Sequence, residues 1–205
     1  MSAEETNHGT SGRVGRADRH GRWTEDTARL FYGTEPKRGP VGPKGPLHAI
    51  SSNAPPPRGG RDLTPEEGGE IVNKADGWRD TPYASKGTPH AGPNAEKGKG
   101  GGGDCSGIVN KIYGESGHPY DYKRSDDFPG AAERGKIPFR EVDPKDRQPG
   151  DVVVYEGQGH MAIYAGNGDV YSAHQAGSAP FNRLPGRVFG GRPRYFRYQD
   201  RSQQA

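Results

Sequence analysis

Residues 151–174 read DVVVYEGQGHMAIYAGNGDVYSAH, and this stretch decides the fold. It contains three short runs of the β-branched and aromatic residues that favour strands, at 151–155, 160–165 and 169–174. Asn167-Gly168 separates the last two runs and is a strong signal for a two-residue hairpin turn. Residues 194–198 (RYFRY) alternate and predict a further strand. The C-terminal part is therefore expected to form an antiparallel meander.

Two helices are predicted before the meander. The first begins with the capping-box pattern Thr64-Pro65-Glu66-Glu67 and extends to about residue 78. The residues expected to be buried on it are Ile71, Val72, Ala75 and Trp78. The second lies within residues 104–117 (DCSGIVNKIYGESG), and Gly117 is a natural C-terminal stop. Its predicted apolar face consists of Ile108, Val109, Ile112 and Tyr113.

The segment between these helices, residues 81–103, is rich in Gly, Pro and Lys, and we expect a flexible loop there. It contains no phosphate-loop pattern despite its glycines. The order of helix, long loop, helix and meander predicts an α+β fold, with the second helix packed on an antiparallel sheet.

Composition predicts that only part of the chain folds. Leu, Ile, Val and Phe account for 26 of 205 residues, and Gly and Pro account for 53, both in the range where disorder becomes a serious possibility. We assign residues 1–62 to a disordered Gly/Pro-rich segment and residues 63–200 to the folded domain. Within the first segment, residues 39–47 (GPVGPKGPL) have too few triplets for collagen and indicate an extended linker. Residues 24–32 could form a short helix.

Several classes of protein are excluded by simple counts. There is no run of about 18 apolar residues, so no transmembrane helix is expected, and the polar N-terminus lacks the apolar core of an ordinary signal peptide. A single cysteine cannot form an internal disulfide, and no Cys-x-x-Cys pair is present for structural zinc. A net charge of +3 does not by itself indicate nucleic-acid binding.

The only cysteine, Cys105, opens the second predicted helix. Free N–H groups and the partial positive charge at a helix N-terminus favour a nucleophilic thiolate and could hold an oxyanion. The alternative is a buried structural cysteine, which its polar neighbours disfavour. His160 begins a strand after a glycine-rich turn and is the candidate base, while His174 ends the strand that returns through the Asn-Gly turn. Cys105, His160 and His174 could alternatively ligate zinc.

At this point four ordered motifs resemble those of the NlpC/P60 cysteine peptidases. The motifs read GWRDTPY (77–83), DCSG (104–107), QPGDVVVY (148–155) and GHMAIYAGNG (159–168). Their order and approximate spacing agree with the family over residues 68–198. The third and fourth resemble family segments of the types PGDLV-(F/Y) and GHVGIY-(L/I)-GNG. One departure is that Ala84-Ser85-Lys86-Gly87 stands where the family usually has Trp-Gly-Gly.

The resemblance implies a papain-like fold and cleavage of peptidoglycan stem peptides, typically between D-glutamate and the diamino acid. It assigns Cys105 as nucleophile, His160 as general base, and a third polar residue that orients the base. Strict register from the turn places that third residue at Ser172, but the family more often has His there, which favours His174 across a local bulge. The resemblance places Tyr83 beside the nucleophile, and assigns substrate contacts to Asp104 and Ser106. It requires neither a cofactor nor a metal.

A cell-wall substrate lies outside the cytoplasm, in the periplasm or wall. The expected routes are a specialised secretion system that delivers an antibacterial effector, phage-encoded lysis, or a lost leader. An effector implies an immunity protein and a secretion-machine component as partners, besides the peptidoglycan peptide, without nucleic acid or membrane insertion. The alternatives are a papain-like amidase or acyltransferase acting on another substrate, and a binding module without catalysis.

Overall fold

The computed structural model describes residues 60–174 and 179–201. Disorder was predicted for residues 1–62; residues 1–59, with the short helix predicted at 24–32, fall outside the described part, whereas Arg61–Asp62 form a strand that pairs with the C-terminal strand. The helices in the described part are α1 (Pro65–Asp76), α2 (Cys105–Glu115) and α3 (Phe128–Glu133). The strands are β1 (Arg61–Asp62), β2 (Phe139–Val142), β3 (Val152–Tyr155), β4 (His160–Gly166), β5 (Asp169–His174), β6 (Ala179–Pro185) and β7 (Pro193–Asp200).

The strands form one antiparallel sheet in the order β1-β7-β3-β4-β5-β6, and β2 also pairs with β7. The predicted meander is confirmed as β3 to β5, and the hairpin turn lies at Asn167-Gly168, between paired Gly166 and Asp169. Asn167 has φ +55° and Gly168 has φ +82°, which is the backbone that Asn-Gly adopts readily in such turns. Strands β1, β2 and β6 were not predicted.

Helix α1 begins as its sequence predicts. The Thr64 hydroxyl accepts from the Glu67 N–H at 3.3 Å, and the Glu67 carboxylate accepts from the Thr64 N–H at 2.7 Å. This reciprocal capping box satisfies two N–H groups that a helix start leaves without partners. Ile71, Ala75 and Trp78 are buried as predicted, and Val72 is partly buried against the same core.

Helix α2 lies across the sheet and packs on β4 and β5. All four residues of its predicted apolar face are fully buried. Its first turn also approaches the short 3₁₀ helix Gly92–Asn94 so closely that a Cβ at Gly107 would overlap the Gly92 carbonyl oxygen. Glycine at this position therefore lets the helix N-terminus, with Cys105, sit against both the sheet and the preceding loop.

The long segment 81–103 follows a defined path, in contrast to the flexible loop predicted. Glu96 and Gly102 exchange two backbone hydrogen bonds of 2.8 Å, which close a small hairpin. The Gly98 N–H donates to the Thr81 hydroxyl, and the Gly103 N–H donates to the Pro82 carbonyl. The glycines of this segment therefore occur at tight turns and close backbone contacts, and they do not mark a flexible loop.

The two faces of the sheet are buried in different ways. One face packs against the helices and forms the main core, and the opposite face forms a smaller cluster that includes Tyr155, Ala162 and Phe189. Phe189 belongs to the 3₁₀ helix Gly186–Phe189. The architecture confirms the predicted α+β class with the nucleophile helix packed on an antiparallel sheet. Among the described residues, no helix combines the length and apolar character needed to span a membrane.

Candidate active site

Cys105 is the first residue of α2, and its side chain lies at the junction of the helix and β4. The backbone N–H groups of Met161, Ser106 and Cys105 itself lie near the sulfur and act to lower the pKa of the thiol. Because Met161 follows His160 directly on β4, the candidate base is the residue next along the strand to the backbone group beside the sulfur. Only 8% of Cys105 is exposed, so the polar neighbours in the sequence wrongly suggested exposure.

The electrostatic environment of the thiol differs from what the helix N-terminus alone predicts. Burial raises the pKa of Cys105 to about 12, and the nearby Asp104 carboxylate acts in the same direction. The backbone N–H groups of Met161, Ser106 and Cys105 act in the opposite direction. Desolvation therefore outweighs the helix N-terminus, and the resting sulfur is a neutral thiol. A nucleophile in this state has to lose its proton to a base during attack.

His160 opens β4 and is itself buried, with 4% of its surface exposed. Its Nε2 lies 2.9 Å from the Ser172 Oγ, and its ring stacks on Phe189 with centroids 4.0 Å apart. The Ser172 hydroxyl also donates to the Met161 carbonyl at 2.8 Å. A hydroxyl has one proton. Because the Ser172 hydroxyl donates that proton to the Met161 carbonyl, it accepts its hydrogen bond from His160 Nε2. This hydrogen-bond pattern assigns the proton of neutral His160 to Nε2, which makes Nδ1 the basic nitrogen.

Ser172 and His174 both lie on β5, where sequence analysis left the choice of third residue open. Ser172 is 1% exposed and contacts the His160 ring as described above. The register between β5 and β6 shifts between Ser172 and His174, and the backbone of His174 pairs with Ala179. The side chain of His174 lies outside the part of the chain that the structure describes, so its catalytic role stays a prediction.

Asp104 and Ser106 flank Cys105 and are hydrogen-bonded to each other. One Asp104 oxygen accepts from the Gly107 N–H at 2.7 Å and from the Ser106 hydroxyl at 2.9 Å, and the other accepts from the Gly92 N–H at 2.7 Å. Asp104 thus caps α2 and ties the long loop to it. Substrate binding by Asp104 and Ser106 stays a prediction from the resemblance.

Two tyrosines lie near the sulfur, and only one of them was identified in the sequence. Burial raises the pKa of Tyr83 to about 12, and the charges of Cys105, Asp104 and Tyr122 contribute to that shift. The pKa of Tyr122 is raised by burial and by the charges of Asp104 and Cys105. Its hydroxyl lies 3.0 Å from the Ser106 hydroxyl. Tyr122 lies in the irregular segment after α2, where only its aromatic character among charged residues could have drawn attention to it.

Asp151, in the third sequence motif, forms a buried ion pair with Arg197. The Asp151 carboxylate is 2% exposed and receives two hydrogen bonds of 3.0 Å from Arg197 on β7. Its oxygen also accepts from the Gln148 N–H at 2.8 Å. This buried ion pair joins the turn before β3 to β7, so the motif residue has a structural role. Among the described side chains, which exclude that of His174, no three potential metal ligands converge.

A sequence model of the NlpC/P60 family matches residues 80–189. No curated protein matches the sequence.

Among solved structures, the chain is similar to the peptidoglycan hydrolase RipB from Mycobacterium tuberculosis, with 22% identity and a TM-score of 0.49 over 66% of each chain. It is similar to an NLP/P60-family protein from Staphylococcus aureus, with 18% identity and a TM-score of 0.48 over 71% of this chain and 45% of that one. It is also similar to the NlpC/p60 domain of the peptidoglycan hydrolase SagA, with 21% identity and a TM-score of 0.44 over 62% and 97%. The chain therefore spans less than two thirds of the length of the first two proteins.

Proposed function

The chain belongs to the NlpC/P60 family, and from that premise we propose that it hydrolyses an amide bond of peptidoglycan stem peptides by Cys-His catalysis. Cys105 is the proposed nucleophile, His160 the proposed base, and Ser172 the residue that positions His160. The observation that carries this proposal is the junction of α2 and β4, where the Met161 N–H lies near the Cys105 sulfur and the Met161 carbonyl accepts from the Ser172 hydroxyl, which also contacts His160.

The proposed reaction begins with a neutral thiol and a neutral imidazole. Cys105 attacks the amide carbonyl carbon while Nδ1 of His160 takes the thiol proton. The C–S bond forms, the carbonyl π electrons move to oxygen, and N–H groups at the start of α2 stabilise the oxyanion. As the tetrahedral intermediate collapses, the C–N bond breaks and His160 gives its proton to the leaving amine.

Hydrolysis of the resulting thioester completes the cycle. His160 removes a proton from water, the hydroxide adds to the acyl carbon, and the C–S bond breaks. The proton on His160 then returns to the Cys105 sulfur, which restores the resting thiol. In this scheme the hydrogen bond to Ser172 keeps the His160 proton on Nε2, so Nδ1 is ready to act as base at each turnover.

The family resemblance supports a finer proposal for the bond and the setting. We propose that the bond joins D-glutamate to the diamino acid, that Tyr83, Asp104 and Ser106 contact the peptide, and that the enzyme acts in a bacterial periplasm or wall. Delivery as an antibacterial effector, countered by an immunity protein that plugs the cleft, remains our proposal for its role. His174 is the proposed alternative to Ser172 as the third residue.

The test is mass spectrometry of purified peptidoglycan after digestion with the wild-type protein, beside Cys105→Ala. New fragments with the wild type alone are expected, and their masses identify the bond that was cut. Folding of both proteins is checked by circular dichroism. Identical fragment profiles from two folded proteins would contradict the proposed hydrolysis.

A further inference from the structure

The segment 122–126, which follows α2, contacts α2 at one end and approaches the residue before His160 at the other. Tyr122 is at the first end, where its hydroxyl lies 3.0 Å from the Ser106 hydroxyl. Asp126 is at the other end, where its Oδ1 would lie 3.3 Å from a Cβ placed on Gly159. Gly159 has φ +56° and directly precedes His160. The Asp126 carboxylate therefore stands one residue from the candidate base.

The charge of this carboxylate is not neutralised by its neighbours. Asp126 is exposed and has no ion pair or hydrogen bond with any residue in the described part of the chain. The nearby Arg124 lies 3.4 Å from Asp127, and the nearby Lys123 donates to the Tyr122 carbonyl at 3.2 Å, so neither cation pairs with Asp126. An unpaired negative charge beside the candidate base favours a substrate that carries a positive charge on that side.

The proposed mechanism identifies which side of the substrate this is. A base that returns its proton to the leaving amine has that amine next to it, so groups beside His160 face the leaving half of the peptide. The leaving half of the proposed substrate begins with the diamino acid, whose second amine is protonated at neutral pH.

We propose that Asp126 is a specificity-determining residue whose carboxylate binds the protonated side-chain amine of the diamino acid in the leaving group. This inference rests on the proposed function. It implies that stem peptides with a free amine are better substrates than those whose amine is acylated, as it is in cross-linked peptidoglycan.

The test uses disaccharide tripeptides from a peptidoglycan whose stem peptides contain a diamino acid, so that this residue carries the only free amine. Half of the preparation is acetylated at this amine, and kcat/KM is measured on both forms. The wild type should prefer the free amine by about twofold to fivefold, the range expected for a solvent-exposed ion pair. Asp126→Asn should reduce that ratio to about one and leave kcat/KM on the acetylated form unchanged.

Asp127→Asn is the matched control, because it removes the neighbouring carboxylate, which is already paired with Arg124. It should keep the wild-type preference. If Asp126→Asn keeps the wild-type ratio, or loses kcat/KM equally on both substrates, Asp126 does not have the proposed role. Cleavage of the substrates in that case would still agree with the proposed function. No cleavage of either substrate by the folded wild type would instead refute the proposed function, and this inference with it.

Discussion

Replacing Ser172 with alanine tests whether the hydroxyl positions the catalytic base. The substitution removes the hydroxyl that lies 2.9 Å from His160 Nε2, at a position where Ser172 is 1% exposed. A hydrogen bond of this kind contributes about 0.5–1.5 kcal/mol. At about 1.36 kcal/mol per factor of ten, its loss should lower the population of the required His160 tautomer, and with it kcat, by about twofold to tenfold.

The assay is steady-state hydrolysis of a purified muropeptide, with kcat and KM determined separately. A positioning role predicts a fall in kcat with KM nearly unchanged, and Ser172→Thr, which keeps the hydroxyl, should recover part of the loss. Ser116→Ala is the matched control, since that hydroxyl also donates to a backbone carbonyl at 2.8 Å but lies at the far end of α2. Its kcat should stay at the wild-type value.

Three outcomes of this assay would count against the reasoning. Full activity of Ser172→Ala would show that the bond to His160 does not matter. A rise in KM with kcat preserved would assign Ser172 to substrate binding. A larger loss of kcat in His174→Ala than in Ser172→Ala would identify His174 as the residue that orients the base.

Three further predictions concern stability and are measured by urea unfolding. Gly107→Ala should destabilise the fold by about 1–3 kcal/mol, as overpacking does. Gly114→Ala on the same helix, with no atom within 4 Å of the new Cβ, should be neutral or stabilising. Equal effects of the two substitutions would refute the close approach of Gly107 to Gly92. Asp151→Asn should lower the unfolding free energy by up to about 3–5 kcal/mol, because the buried Arg197 guanidinium loses the closer of its two carboxylate partners and keeps only Asp62, at 3.9 Å. Asp143→Asn, in an exposed pair, should change the unfolding free energy by less than about 1 kcal/mol. Because ion pairing and hydrogen bonding lower the pKa of Glu67 from 4.5 to about 2, its contribution is fully present above about pH 4.5 and is lost as pH falls toward 2. Glu67→Gln should therefore be less stable than the wild type at pH 7 and equally stable near pH 2, and a difference that does not change with pH would contradict this.

The elements with strong local signals were predictable from the sequence. The capping box before α1, the apolar face of α2 and the Asn-Gly turn each depend on interactions within a few residues, and the structure has all three. Strands β2 and β6 were missed for the opposite reason. The charged FREV of β2 and the proline-containing APFNRLP of β6 become strands through pairing with distant neighbours.

The sequence identified the main residues of the candidate site but not the burial and electrostatic environment of Cys105. The motifs identified Cys105 and His160, yet the neighbours of Cys105 suggested an exposed thiolate where burial raises the pKa of the thiol to about 12. Burial depends on how the long loop and β4 close over the helix N-terminus, which no local pattern records. Asp126 was missed because its proximity to Gly159 exists only after the segment beyond α2 folds back across the sheet.

The most direct test of the central claim, covalent catalysis by Cys105, is to digest a muropeptide in the presence of hydroxylamine. A thioester intermediate can be attacked by hydroxylamine as well as by water, so we expect a hydroxamate at the newly formed carboxyl end, in a proportion that rises with hydroxylamine concentration. Mass spectrometry distinguishes it from the free acid, and the Cys105→Ala protein should yield neither product. Continued cleavage that yields only the free acid at every hydroxylamine concentration, or cleavage by Cys105→Ala, would contradict the account.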